Sequence, residues 1–237
     1  MFLYVTVTKK ESYYTDGIST KKAARMEQIS NERCVIIPFE ELTAEIAREL
    51  CPSAIILSGF GGTFESYDIK SFFGINEVLH SEDIPVLAIC GSFQLLEPMF
   101  SSNITKLPRL YDTPIRHLTQ NDTAYPRFAT KYGDTDLSHF YMADGFFPIT
   151  RVKDDALFLN LPETIYVRCN HYCEMKTLPL HFVRLAKSAH SHIEAIRHET
   201  RPIYGLQFHP ECYEEPFLDG YTILQNFFNI AKEYRKK

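Results

Sequence analysis

No stretch of the 237-residue chain approaches the roughly 18–20 consecutive apolar residues of a membrane-spanning helix, which excludes a helical membrane protein. An excess of basic residues is also missing. Against 30 Asp and Glu stand 25 Lys and Arg, a net charge of −5, so neither nucleic acid nor an anionic membrane surface is an expected partner. Met1-Phe2-Leu3-Tyr4-Val5 has no basic segment before it, so no targeting peptide is expected and a cytoplasmic location is. The six cysteines (Cys34, Cys51, Cys90, Cys169, Cys173 and Cys212) do not form the dense pattern of a disulfide framework and suit reduced thiols. Internal repeats, low-complexity segments and a phosphate-binding glycine motif are absent, so no ATP site or other cofactor is expected. Cys169-Asn170-His171-Tyr172-Cys173 hints at a metal knuckle, yet no second ligand pair follows at zinc-like spacing. A structural or substrate-contacting role is preferred there, and no metal is expected.

What the chain does have is the material for a core. Hydrophobic residues make up 45%, including 18 Phe and 14 Tyr, which rules out disorder. A chain this long buries roughly 70–75% of its unfolded surface without disulfide or metal staples. The first hundred residues alternate short apolar runs with amphipathic ones. Phe2 to Thr8, Cys34 to Pro38, Ala54 to Leu57 and Pro85 to Ile89 predict strands, and all but the first are apolar enough to be buried on both faces. Phe39 to Leu50 and Tyr67 to His80 carry helical spacing. This βαβ rhythm predicts an α/β fold with a central, mostly parallel sheet flanked by helices.

Residues 101–162, with Pro108, Pro114, Pro126, Pro148 and Pro162, keep no period and predict an irregular excursion with short strands. Strand-like runs return at Ile165–Arg168, His181–Leu185, Ile193–Arg197 and Ile203–Phe208, and a helix is expected near Tyr221–Tyr234. Its basic end, Lys232 to Lys237, complements the helix dipole or is a solvated tail. Tyr13, Tyr14, Lys21 and Lys22 are expected at the surface, and His190 and His192 in solvent.

Three segments carry chemistry. An apolar strand runs straight into Cys90, followed by Gly91-Ser92 and an amphipathic stretch. A strand–nucleophile–helix turn of this kind exposes a thiol at the sheet's carboxyl edge, above a helix N-terminus that favours thiolate; a buried core cysteine has the same local pattern. Gly205-Leu206-Gln207-Phe208-His209-Pro210-Glu211 ends a second strand in a histidine with a glutamate two residues on. That pairing serves a thiol nucleophile with an oriented base, although Glu211 is also compatible with a simple helix cap. Ser58-Gly59-Phe60-Gly61-Gly62 follows a third strand and suits an oxyanion-binding turn or a tight connection.

Together these segments resemble the class I, triad-type glutamine amidotransferases. The family's elbow reads roughly Gly-x-Cys-x-Gly-x-Gln and its distal element Gly-x-Gln-Phe-His-Pro-Glu, which Gly205 to Glu211 matches in full. Ile193 to His198 and Pro202 to Tyr204 are similar to the glutaminase domains of GMP synthase and anthranilate synthase. The resemblance covers most of residues 33–100 and 164–235, and the whole chain, 1–237, is read as one amidotransferase domain. It implies that Cys90 attacks the γ-carboxamide of glutamine, His209 shuttles the proton and Glu211 orients His209. It further implies oxyanion contacts from Gly91 and the Gly59-Phe60-Gly61 turn, a substrate contact from Gln94, and backbone contacts from Asn170-His171-Tyr172. Ammonia would pass to a separate synthase chain.

Two departures stand out. Ser92 and Ala88 occupy the glycine positions flanking the nucleophile, and Phe60 sits where the oxyanion turn usually has glycine. With the long 101–162 excursion, they keep open a second reading, a stand-alone γ-glutamyl hydrolase or peptidase using the same triad. A third is a binding module that has kept the fold.

Overall fold

The computed structural model of the protein describes residues 1–8, 13, 17–122, 131–132, 135–136 and 138–236. Tyr14, Pro126 and Lys237, named above, lie outside the described residues. The first strand, β1 (Phe2–Val7), is apolar on both faces, and the fold follows from that. Leu3, Val5 and Val7 enter one core while Phe2 and Tyr4 enter the other, all of them buried. A strand with two dry faces needs a covering layer on each side. Parallel to β1 run β2 (Cys34–Pro38) on one side and β3 (Ile55–Phe60) on the other, and then β4 (Val86–Ile89) joins β3.

The remaining strands are β5 (Lys131–Tyr132) and β6 (Thr135–Asp136), a separate antiparallel pair, then β7 (Ala143–Arg151), β8 (Thr164–His171), β9 (Phe182–Lys187), β10 (Ala195–His198) and β11 (Ile203–Leu206). The main sheet runs β2-β1-β3-β4-β11-β10-β9-β7-β8. Its first five strands are parallel, since β11 pairs parallel with β4, and the other four extend it antiparallel. The expected α/β fold with a mostly parallel central sheet is therefore present.

Helices α1 (Ile18–Ser30) and α5 (Asp219–Tyr234) cover one face through Met26, Ile223, Leu224, Phe227 and Phe228. Helices α2 (Ala44–Leu50), α3 (Phe73–Ser81) and α4 (Gly91–Ser101) cover the other through Ala44, Ala47, Ile75, Val78, Leu79, Phe93 and Leu96. Each large side chain buried this way stabilises the fold by about 1.5–3 kcal/mol. No helix is long and apolar enough to cross a membrane among the described residues.

Several local expectations are corrected. The Phe39–Leu50 helix is two pieces, because Thr43 accepts the Ile46 N–H at 3.1 Å and starts α2 afresh after a 3₁₀ turn over Phe39–Glu41. Tyr67–His80 likewise divides into a 3₁₀ turn, Ile69–Phe72, and α3. The 101–162 excursion contains β7, nine residues long and in register with β8 from Ala143↔His171 to Thr150↔Thr164. Gly145 and Pro148 hide this strand from pattern reading, both being residues that strands disfavour.

The arrangement brings three strand ends side by side. β4 lies between β3 and β11, with Leu57 opposite Ala88 and Leu206 opposite Ile89. The segments at and just after these ends, Gly59–Gly62, Cys90–Gly91 and Gln207–Glu211, therefore meet at one carboxyl edge, where open α/β sheets form binding crevices.

Candidate active site

Cys90 joins β4 to α4 with φ +52° and ψ −111°, a conformation that a non-glycine residue adopts only under constraint from its surroundings. Part of the constraint is its N–H, which donates to the Leu206 carbonyl at 2.7 Å. The side chain is 9% exposed, enough to be reached from the crevice. Its Sγ lies 4.0 Å from the Asn170 carbonyl and 3.8 Å from Nε2 of Gln207. Gly91 opens α4, so its N–H belongs to the first turn, which has no intrahelical acceptor.

His209 is held through backbone and ring. Its N–H donates to the Arg168 carbonyl at 2.8 Å, and Nδ1 lies 2.8 Å from Oε1 of Glu211. Glu211 is fully buried, and the same Oε1 also lies 2.9 Å from Nζ of Lys22. Burial alone would keep Glu211 protonated; the Lys22 ammonium and the His209 imidazolium outweigh it and hold the carboxyl well below the usual range. For His209 burial works against the charge, but the Glu211 carboxylate and the Cys90 side chain reverse the balance and raise it to about 10. Lys22 is likewise kept charged against burial by Glu211.

Lys22 was expected at the surface. Its side chain is 20% exposed, and α1 turns it inward. One turn on, Arg25 donates to the carbonyls of Glu211 and Tyr213 at 3.1 and 2.9 Å and stacks on the Tyr213 ring, 4.7 Å from its centre. Thus α1, for which the sequence gives no helical signal, fixes the loop that carries Glu211. Lys21 is exposed as expected, whereas Tyr13 is half-buried and donates to the Ile36 carbonyl at 3.3 Å.

Glycine is required at two places beside the thiol. A Cβ on Gly59 would stand 2.9 Å from Cε1 of His209 and 3.2 Å from Cβ of Cys90, and one on Gly91 would stand 2.6 Å from Cγ of Phe60. Two of the residues that depart from the family pattern make contacts of their own. Ser92, fully buried, donates to the Ser58 carbonyl at 2.5 Å and ties the start of α4 to the end of β3. Phe60 stacks on Phe72, with ring centres 5.5 Å apart, and meets Phe64 edge-on at 4.9 Å.

A small cleft opens over Cys90, lined by Phe60, Gly62, Phe64, Gly91, Gln94, Asp112 and the run Asn170 to Cys173. Expected residues Phe60, Gly91, Gln94, Asn170, His171 and Tyr172 thus line it together. Gln94 is pinned, its Nε2 donating to the Cys173 carbonyl and to Oε1 of Gln207 at 2.9 and 3.0 Å. Gly61 stands back, its N–H given to the Val7 carbonyl at 3.4 Å. Burial raises the Asp112 carboxyl to about 6; its Oδ2 has no hydrogen-bond partner. A cavity of about 290 Å³ adjoins the cleft through Phe64 and Gln94 and holds none of Cys90, His209 or Glu211.

Comparison with known proteins gives the family. The family model for glutamine amidotransferase class-I matches residues 16–231. The glutamine-hydrolyzing GMP synthase subunit of Methanosphaera stadtmanae is 28% identical over 196 residues, 83% of this chain and 81% of that protein. Its counterpart from Archaeoglobus fulgidus is 46% identical over 82 residues, 35% of this chain and 44% of that one. The GMP synthase of Thermosipho melanesiensis is 31% identical over 198 residues, and the match spans 83% of this chain but only 31% of that protein. A crystal structure of a putative GMP synthase subunit protein from Thermoplasma acidophilum superposes with a TM-score of 0.70 at 20% identity, covering 100% of this chain and 96% of that one. The chain belongs to the class I glutamine amidotransferase family.

Proposed function

We propose that the protein is a glutaminase that releases ammonia from glutamine through a thioester on Cys90 and delivers it to a synthase chain. The observation that carries this reading is the convergence of Cys90, His209 and Glu211 at one sheet edge, with Cys90 in a strained elbow above a helix N-terminus. The relatives named as glutamine-hydrolyzing subunits of GMP synthase support glutamine as the substrate and a GMP-synthase-type acceptor chain.

The chemistry runs as acyl transfer. His209 takes the Cys90 proton, and Sγ attacks the γ-carbonyl carbon of glutamine. The oxyanion so formed rests on the Gly91 N–H and on an N–H of the Gly59–Gly62 turn, one such donor contributing about 3–4 kcal/mol to the barrier reduction. The C–N bond then breaks as the His209 imidazolium protonates the departing nitrogen, leaving ammonia and a γ-glutamyl thioester. Water, deprotonated by His209, attacks the thioester carbon, and the C–S bond breaks to return the thiol and give glutamate. Glu211 keeps the proton-carrying Nδ1 of His209 turned away from Cys90, so that Nε2 faces the sulfur. Among the described residues Asp112 is the one carboxylate lining the cleft, and its charge complements the α-ammonium group of a free amino acid.

Glutamate release from glutamine and from a panel of γ-glutamyl peptides, with and without a candidate synthase chain, tests the reading. Turnover of glutamine that rises when the synthase is added supports it; preference for γ-glutamyl peptides over glutamine sinks it in favour of a stand-alone hydrolase.

A further inference from the structure

The strand that walls the cleft also leads to a second cluster of reactive side chains. Cys169 and His171 stand two residues apart on β8 and so share a face, and the β9–β10 connection brings His190 to them. The Cys169 sulfur and one ring nitrogen from each histidine all lie within 4.8 Å of one another. Cys169 is fully buried and His171 is 4% exposed. His190, expected in solvent, keeps only 11% of its side chain exposed, with the Tyr141 and Phe147 rings 5.6 and 5.1 Å away; His192 is exposed as expected.

The hydrogen bonding of this cluster is incomplete in a specific way. Nδ1 of His171 lies 2.9 Å from the Cys173 carbonyl, which can only accept, so Nδ1 carries the proton and Nε2 is left as a bare lone pair. That Nε2 is buried with no hydrogen-bond partner, and so is Nε2 of His190. Behind them Glu194, fully buried, receives the Ser188 hydroxyl on Oε1 at 2.6 Å, while Oε2 has no hydrogen-bond partner. Glu194 Oε1 is 3.9 Å from His190 Nε2, too far for a hydrogen bond. Each buried orphan of this kind costs about 1–3 kcal/mol, and two of the three belong to the clustered histidines.

A single ion bound by both histidines satisfies the two ring nitrogens at once. One thiol and two imidazoles form a sulfur–nitrogen donor set that suits a borderline-soft, tetrahedral ion and not calcium or magnesium, which take oxygen. A ligating histidine ordinarily donates its other ring N–H to a backbone carbonyl, which His171 already does. Bond lengths of about 2.0–2.3 Å at tetrahedral angles place ligand atoms roughly 3.3–3.8 Å apart, so the cluster needs to close by about 1 Å. His190, on a connecting loop, is the residue free to make that movement.

We propose that Cys169, His171 and His190 form a zinc-type structural metal site, with Glu194 or a water as fourth ligand. On binding, the Cys169 S–H bond breaks, a sulfur–metal bond forms and the proton passes to solvent, while both histidines enter neutral. The ion ties the end of β8 to the β9–β10 connection. Asn170, whose carbonyl lies 4.0 Å from Cys90 Sγ, sits between two of its ligands, so the ion stiffens the wall of the cleft without touching the reacting atoms.

The test is metal binding to the chelator-stripped full chain, with Co²⁺ and Zn²⁺ themselves as probes, and it does not depend on glutaminase activity. The site predicts one ion per chain, a thiolate-to-cobalt charge-transfer band, and a rise in Tm with Zn²⁺. Cys169→Ser removes the band, His190→Ala weakens binding at least tenfold, and Cys212→Ser leaves both unchanged. If Cys169→Ser does not fold, His190→Ala decides, since its side chain sits at the rim. Absence of stoichiometric binding, a band that survives Cys169→Ser, or undiminished affinity in His190→Ala overturns the proposal.

Discussion

Lys22 reaches across from the first helix to share a single carboxylate oxygen of Glu211 with His209, at 2.9 Å from the lysine and 2.8 Å from the imidazole. The carboxylate therefore serves two cations in a site largely closed to solvent. Its charge is secured by Lys22, and its direction is set by His209.

Lys22→Met tests that arrangement. Removing one partner of a buried ion pair strands the other, at a cost of about 3 kcal/mol. A depressed carboxyl stabilises the fold at pH above its unfolded value, near 4.5, and loses that contribution as pH falls through the folded value. The variant should thus be weakest relative to wild type near neutrality, with the gap narrowing in acid. Denaturant unfolding at several pH values measures it; a gap that widens in acid contradicts the assignment.

His209 makes the opposite prediction. Its folded value lies above the ordinary 6.5, at about 10, so its contribution is complete below pH 6.5 and is lost as pH rises toward 10. The stability difference between wild type and His209→Gln should shrink between pH 6.5 and 10. A difference that grows over that range means that the imidazole is held neutral.

Gly59→Ala places a methyl group against both Cys90 and the His209 ring. Displacing reacting groups by about an ångström costs on the order of 10²-fold in kcat/KM, with KM little changed. Steady-state kinetics with glutamine check it, and a variant with full activity shows that the two side chains need not approach as closely as they do.

Ser92→Gly restores the residue that the family pattern carries. Because the Ser92 hydroxyl satisfies the Ser58 carbonyl, the substitution should lower stability by about 1–2 kcal/mol and leave glutamine turnover without gain. A more active variant would mean that Ser92 restricts the elbow.

The parts of the site readable in sequence are those whose chemistry is contiguous. Cys90 follows its own strand, and His209 and Glu211 are two residues apart, so local pattern and family resemblance point to the same atoms. Lys22 is illegible for the converse reason: its partner lies far along the chain, and α1 buries only Ala23, Met26 and Ser30 along a face too thin to give a helical period. Gln207 lies inside a recognised motif, yet its bonds to Gln94 and the Cys90 sulfur depend on how β11 packs beside β4. The strand β7 is masked by Gly145 and Pro148, and His190 by the polar residues around it, since neither pattern reports what a neighbouring strand supplies.

The most direct test of the central claim is covalent trapping with an electrophilic glutamine analogue, read by peptide mass spectrometry across all six cysteines. The account predicts one label per chain, on Cys90, formed more slowly when glutamine is present and lost in Cys90→Ala and His209→Ala. Labelling shared among several cysteines, or a Cys90 that reacts no faster than exposed Cys51, would contradict it.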